Sequence, residues 1–163
     1  MSADPIAEAD RQWRAHGWAK AAPGMVAVTS LTRAQQLLHQ RIDAVLKPFD
    51  LTFARYEVLM LLAFSSRGSL PMSVIGSRLQ VHPASVTSAV ERLEKQGFAS
   101  RERTPADRRM VLARITPAGR RTAQQGTEAI NGDVFEDLGL SRRDLDALTD
   151  LLTRVRRREG DPI

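Results

Sequence analysis

Apolar residues recur along the chain at helical spacing, and only one stretch breaks the rhythm. Between residues 25 and 47, Val28, Leu31, Leu38, Ile42 and Val45 fall on one side of a helix. Pro48 must end it, because proline lacks an amide hydrogen and clashes with the preceding turn. Thr52 then offers an N-cap to FARYEVLMLLAF, residues 53–64, with Gly68 beyond its end. Apolar side chains go most of the way round this helix, which predicts a central, buried element. Residues 71–80, PMSVIGSRLQ, place Val74, Ile75 and Leu79 on one face of a short helix. In the next segment, HPASVTSAVERLEKQG (82–97), Pro83 suits a first helical position and Gly97 a C-terminal cap. Val86, Val90 and Leu93 form its apolar stripe, and Ser85, Ser88, Arg92 and Lys95 lie on the other side.

The rhythm breaks at residues 98–103 and 110–115, two strands around a Thr-Pro-Ala-Asp turn. Thr116 and Pro117 cap and open another helix, expected to run to about Leu138. Ser141 to Asp144 resembles a capping box and starts a last helix, striped by Leu145, Leu148, Leu152 and Val155. The first 24 residues, with Trp13 and Trp18, are expected to add a helix that packs on the body. The fold class predicted is mainly α with a small β-hairpin.

Charge sharpens the picture. Between Ser85 and Arg121 there are nine basic residues and four acids, an excess equal to the whole chain's net charge of +5. The remainder is neutral, so the excess is a localised footprint for a polyanion. Arg103, Arg108, Arg109 and Arg114 all belong to the hairpin, with Asp107 among them. A short helix, a tight connection, a helix with small polar residues outside and then a basic hairpin together make a winged helix-turn-helix. The second helix suits a major groove, whose floor offers distinct donor and acceptor patterns. Ser85, Thr87 and Ser88 are small groups able to hydrogen-bond there. Arg92 and Lys95, with Pro83 and His82 at the helix start, lie where phosphates would be neutralised. The hairpin arginines reach toward a minor groove, where a guanidinium meets concentrated negative potential. The expected partner is double-stranded DNA.

Three runs resemble the MarR family of transcriptional regulators: LTFARYEVLMLL, HPASVTSAVERLEKQGF and DRRMVLARITPAGR. The resemblance extends over nearly the whole chain. It implies a wing Asp-x-Arg, matched by Asp107 and Arg109, in which the carboxylate aims the arginine rather than cancelling it. One departure is Ser88, where many members carry arginine; base reading is then expected to rest more on Ser85, Thr87 and the wing. The resemblance further implies a twofold homodimer. On this reading residues 1–24 are an N-terminal extension, 25–50 and 117–163 supply dimerisation helices, and 51–116 form the winged helix-turn-helix, all in one intertwined domain. It also implies a crevice for a small-molecule effector that releases the protein, as a repressor, from a pseudo-palindromic operator. Trp18, His39, Arg55 and Tyr56 are the candidates to line it, aromatic walls with a cationic anchor suited to a planar anion.

Other chemistries find little footing. No nucleophile elbow, P-loop or dinucleotide-binding glycine pattern is present, so neither an enzyme nor a cofactor is expected. His16, His39 and His82 lie far apart with no Glu or Cys at metal-ligand spacing, so no metal is expected. The absence of cysteine rules out disulfides and thiol sensing and points to the cytoplasm. The longest apolar run, Val58 to Phe64, is far too short to cross a membrane, and the acidic N-terminus is not read as a secretory signal. The alternative to DNA binding is a winged helix used as a protein-interaction module, which would favour apolar anchors where Ser85, Ser88 and Arg92 stand.

Overall fold

Side-chain caps fix where most helices begin in the computed structural model, which describes residues 4–103 and 110–162. Asp4 accepts from the Ile6 amide and opens α1 (Pro5–Ala15). Helix α2 (Ala22–Leu46) has no side-chain cap, but Pro23 sits in its first turn, where a missing amide costs nothing. It begins at Ala22 rather than at residue 25. Pro48 lies in a tight helical turn, Lys47–Phe49, that continues α2 before Asp50 reverses the chain at φ 53°. Thr52 then caps α3 (Phe53–Phe64) through the Arg55 amide at 3.4 Å. Asp43, one helix earlier, accepts from the Phe53 amide at 2.7 Å and ties α2 to the start of α3.

Helices α4 (Met72–Leu79) and α5 (Pro83–Lys95) are joined by a short turn. Gln80 closes α4 at φ 55°, and His82 Nδ1 accepts from the Ala84 amide at 3.2 Å to open α5. Thr116 caps α6 (Pro117–Ile130), whose last turn widens into a π turn, Asn131–Phe135, and stops short of Leu138. Ser141 caps α7 (Arg142–Arg158), accepting from the Asp144 amide at 3.2 Å and donating to its carboxylate at 2.6 Å.

The sheet holds one strand more than the sequence predicts. Strands β2 (Ala99–Arg103) and β3 (Val111–Ile115) form the expected hairpin, with Ala99 opposite Ile115 and Arg103 opposite Val111. β1 (Ser69–Pro71) adds to the other edge of β3, antiparallel, with Leu70 opposite Ala113. Three residues ending in proline show no alternation of their own, and proline is tolerated because β1 is an edge. Central β3 buries Ala113 and Ile115.

Helix α3 lies at the centre as expected, packed on α2, α4, α5, α6 and the sheet, with Val58, Leu59 and Leu62 fully buried. Val86, Val90 and Leu93 of α5 join the same core. By contrast, α1 and α7 bury none of their residues. Among the described residues, no helix is long and apolar enough to cross a membrane.

Candidate nucleic-acid interface

The apolar stripe of α5 is locked in the core, so its opposite face must point outward. Pro83, Ser85, Thr87, Ser88, Arg92 and Lys95 are all exposed. With 13 residues the helix is about 20 Å long, a length a major groove accommodates. Thr87 Oγ1 donates to the Pro83 carbonyl at 3.1 Å, so its hydroxyl has lone pairs to offer rather than a hydrogen. Ser85, Ser88 and Arg92 line a groove of about 550 Å³ with Thr52, Ala54, Arg55, Ala84 and Ala89. This groove runs between the start of α3 and the outer face of α5.

The C-terminal half of α5 is held at its end and along its side. At its C-terminus, Gln96 Nε2 donates to the Asp50 carbonyl and carboxylate at 2.6 and 2.8 Å, while its Oε1 accepts from Arg55 Nη1 at 2.9 Å. The same Arg55 nitrogen reaches the Asp50 carbonyl at 3.0 Å. The corner between α2 and α3 is thereby bonded to the end of α5. Along its side, Arg101 of β2 reaches Glu94 and Glu91 at 2.9 and 3.2 Å. These carboxylates, Glu94 foremost, hold the Arg101 guanidinium more firmly protonated than usual. On the hairpin itself Arg114 pairs with Glu102 at 2.9 Å. Part of the basic excess counted in the sequence is therefore internally paired. Gln96, Glu91 and Glu94 carried no signal beyond their charge or polarity, because their partners are supplied by other elements. Asp107, Arg108 and Arg109 lie outside the described residues.

Of the four residues expected to line an effector crevice, Arg55 lines two surface grooves formed by the described residues, and Trp18, His39 and Tyr56 line neither of these. Trp18 stacks on His16 with ring centroids 5.6 Å apart and meets Trp13 edge-on. His39 faces Asp43 at 3.5 Å and the edge of Phe53. It also lies close enough to Glu57 to oppose the upward shift that burial imposes on that carboxyl. Two carboxylates beside His39 make a poor seat for an anion. Tyr56 is buried and its hydroxyl lies 2.8 Å from Thr127 Oγ1, which itself reaches the Ala123 carbonyl at 2.8 Å. Since Thr127 has one hydroxyl hydrogen, the phenol is the donor between them. Arg55 lines the groove beside α5 and a smaller one of about 330 Å³ with Asp43, Ala44, Lys47, Asp50, Leu51 and Thr52. Among the described residues, no cluster of His, Asp or Glu has the makings of a metal site.

Comparison with known proteins agrees with this geometry. A family model described as the MarR family matches residues 49–110. Sco5413 of Streptomyces coelicolor, a MarR family transcriptional regulator of known structure, is 42% identical. The superposition covers 85% of this chain and 96% of that one at a TM-score of 0.78. Sco3205, a MarR family transcriptional regulator of the same organism solved in complex with DNA, is 28% identical, with 86% and 89% covered and a TM-score of 0.73. YhbI of Bacillus subtilis, an uncharacterized HTH-type transcriptional regulator, is 36% identical over 78 residues. That match takes in 48% of this chain and 49% of YhbI, so the chain spans about half of that relative's length.

Proposed function

The chain belongs to the MarR family of transcriptional regulators and not to an enzyme family, and from that premise we propose that it is a sequence-specific double-stranded-DNA-binding homodimer. It acts as a repressor, released from a pseudo-palindromic operator by a small aromatic or anionic effector. The observation that carries this reading is α5 itself. One face is fixed in the core, while Ser85, Thr87, Ser88, Arg92 and Lys95 stand exposed on the other. None of these is a large apolar anchor, which speaks against the protein-interaction alternative. Twofold symmetry sets the two copies of α5 about 34 Å apart, one turn of duplex. Phosphate contacts from Arg92 and Lys95 set the register, while Ser85, Thr87 and Ser88 read base edges. Arg108 and Arg109 enter the minor groove, with Asp107 orienting Arg109. Sco3205 in complex with DNA supports the same use of the fold.

A titration of the intact protein against its own upstream intergenic DNA, repeated over a range of salt, tests the reading. Affinity is expected to fall steeply with salt as counterions leave the duplex. Arg109→Ala is expected to cost about 1–3 kcal/mol of binding with little change in thermal stability, and Asp107→Ala less. Salt-insensitive binding, or an Arg109→Ala protein with full affinity, removes the wing from the interface.

For release, Arg55 is the member of the effector set that faces a groove, between α3 and α5. A planar anion lodged against it would compete with the Gln96 and Asp50 contacts that hold the end of α5. Each tenfold loss of DNA affinity requires about 1.4 kcal/mol of preference for the released state. Aromatic carboxylates are expected to displace DNA from the wild type and much less from Arg55→Ala. Equal displacement in both takes Arg55 out of the effector site, and no displacement by any of them takes away the effector.

A further inference from the structure

The groups that bind DNA on the reading above sit on two separate pieces, α5 and the β2–β3 hairpin. Both must meet one duplex at once, so something has to fix the angle between them. The backbone connection is only the turn through Gly97, at φ 74°, and Phe98. The side chains add a second tie. Among the described residues β2 is an edge strand, with β3 on one side and no strand on the other, so alternate amides point away from the sheet. The Arg101 amide is one of these, and it donates to Glu94 Oε1 at 3.2 Å. The Arg101 guanidinium donates to Glu94 Oε2 at 2.9 Å from Nε and to Glu91 Oε1 at 3.2 Å from Nη1, with Nη2 in ion-pair contact with Glu94 Oε2 at 2.9 Å. Main chain and side chain of one strand residue are thus gripped by two carboxylates one turn apart on α5. A planar guanidinium held along two edges has a fixed orientation, which a flexible ammonium would lack.

We propose that Arg101, gripped by Glu94 and Glu91, is a positioning residue that sets the wing's angle to the recognition helix and hence the sequence selectivity of the dimer. The proposal rests on the DNA-binding reading. It gives these two acids a purpose that charge alone contradicts, since carboxylates beside a polyanion are otherwise a cost. The three side chains are between 34% and 47% exposed, and exposed ion pairs contribute little to stability. Their effect should therefore show in geometry rather than in melting temperature.

The experiment uses full-length protein, a duplex that the wild type selects from a random-sequence pool, and a random duplex for comparison. Glu94→Ala is expected to bind the random duplex as well as the wild type or slightly better, because a negative charge has gone. Its affinity for the selected duplex should fall about tenfold, equivalent to about 1.4 kcal/mol. Hydroxyl-radical protection should be lost at the outer, wing-contacted sites and kept where α5 lies. Without DNA, hydrogen exchange at the Arg101 amide should speed up while the melting temperature holds. Arg101→Ala should show the same loss of selectivity, and the exchanged pair Arg101→Glu with Glu94→Arg should recover part of it. The proposal is overturned if Glu94→Ala keeps wild-type selectivity and outer protection. It is also overturned if Arg101→Ala weakens selected and random duplexes equally, which marks Arg101 as a phosphate contact. A wild type that selects no duplex sinks the DNA-binding reading and this inference with it. Loss confined to the variants cannot be mistaken for that outcome.

Discussion

Deleting residues 141–163, which carry α7, is expected to turn a dimer into a monomer without measurable operator affinity. α7 buries none of its residues within the chain, yet Leu148, Leu151 and Val155 line one side of it, with Leu145 and Leu152 half-buried beside them. Helix α2 shows the same unfinished character in Val28, Leu31 and Leu37. Full burial of such a side chain gains on the order of 1.5–3 kcal/mol, and about half of that is still available at each position. Over both copies the gain is on the order of 10 kcal/mol, the same order as the cost of association. Losing half of it by removing α7 should therefore tip the balance. The remaining core around α3 does not depend on α7, so the shortened protein should keep most of its helical circular dichroism. Full-length protein carrying Leu148→Glu and Val155→Glu gives a second route to the same result. Light scattering at micromolar concentration decides it: an intact protein that runs as a monomer, or a deletion that stays dimeric, refutes the arrangement.

Gly119→Ala is expected to destabilise the fold by about 1–3 kcal/mol or more, an overpacking penalty set against backbone rather than a yielding side chain. A Cβ at this position would stand 2.0 Å from the Phe98 carbonyl oxygen and 2.9 Å from its carbon. Neither can retreat easily. The same carbonyl accepts from the Thr116 amide at 3.0 Å, and Thr116 Oγ1 is bonded both to the Gly119 amide and to the Gly97 carbonyl. Relief would need the first turn of α6 to lift off the Phe98 carbonyl that leads into β2. The better helix propensity of alanine, about 1 kcal/mol, is too small to compensate. Gly24→Ala is the control: it lies in α2 with nothing within 4 Å of an added Cβ and should be neutral or slightly stabilising. Denaturant titration compares the two. A Gly119→Ala protein as stable as the control means that α6 does not start against Phe98.

The elements that carry their own punctuation are readable from sequence. Thr52 before α3, Pro83 and Gly97 around α5, and Thr116 with Pro117 before α6 are local signals, and the structure uses each as a cap or helix start. The face of α5 follows in the same way, because Val86, Val90 and Leu93 leave the other side only one direction to point. What sequence does not show is whatever depends on a distant partner. Ser69–Pro71 becomes a strand only because β3 lies beside it. Arg101 and Arg114 count as free positive charge until Glu91, Glu94 and Glu102 arrive from other turns of the chain. Arg55 and Tyr56, adjacent in sequence, go opposite ways. One is drawn to Gln96 on α5, the other into the core beside Thr127 on α6. Periodicity separates inside from outside but does not say which of two neighbouring elements a side chain will meet.

The π turn at Asn131–Phe135 makes the aim of the C-terminal arm a matter of residue count. It carries a surplus residue within a single winding, and Val134 still lands on the buried line that runs through Ala123, Gly126 and Ile130. One residue fewer would be absorbed by a return to ordinary winding and leave the downstream phase nearly unchanged, whereas one residue more, left unabsorbed, would rotate everything downstream by about 100°. The arm that begins at Ser141 would then leave the body on another heading and, in the proposed dimer, turn its leucines away from the second copy. The gain of a single codon there, with every side chain of the arm and of α5 untouched, would select a different way for the proposed dimer to form.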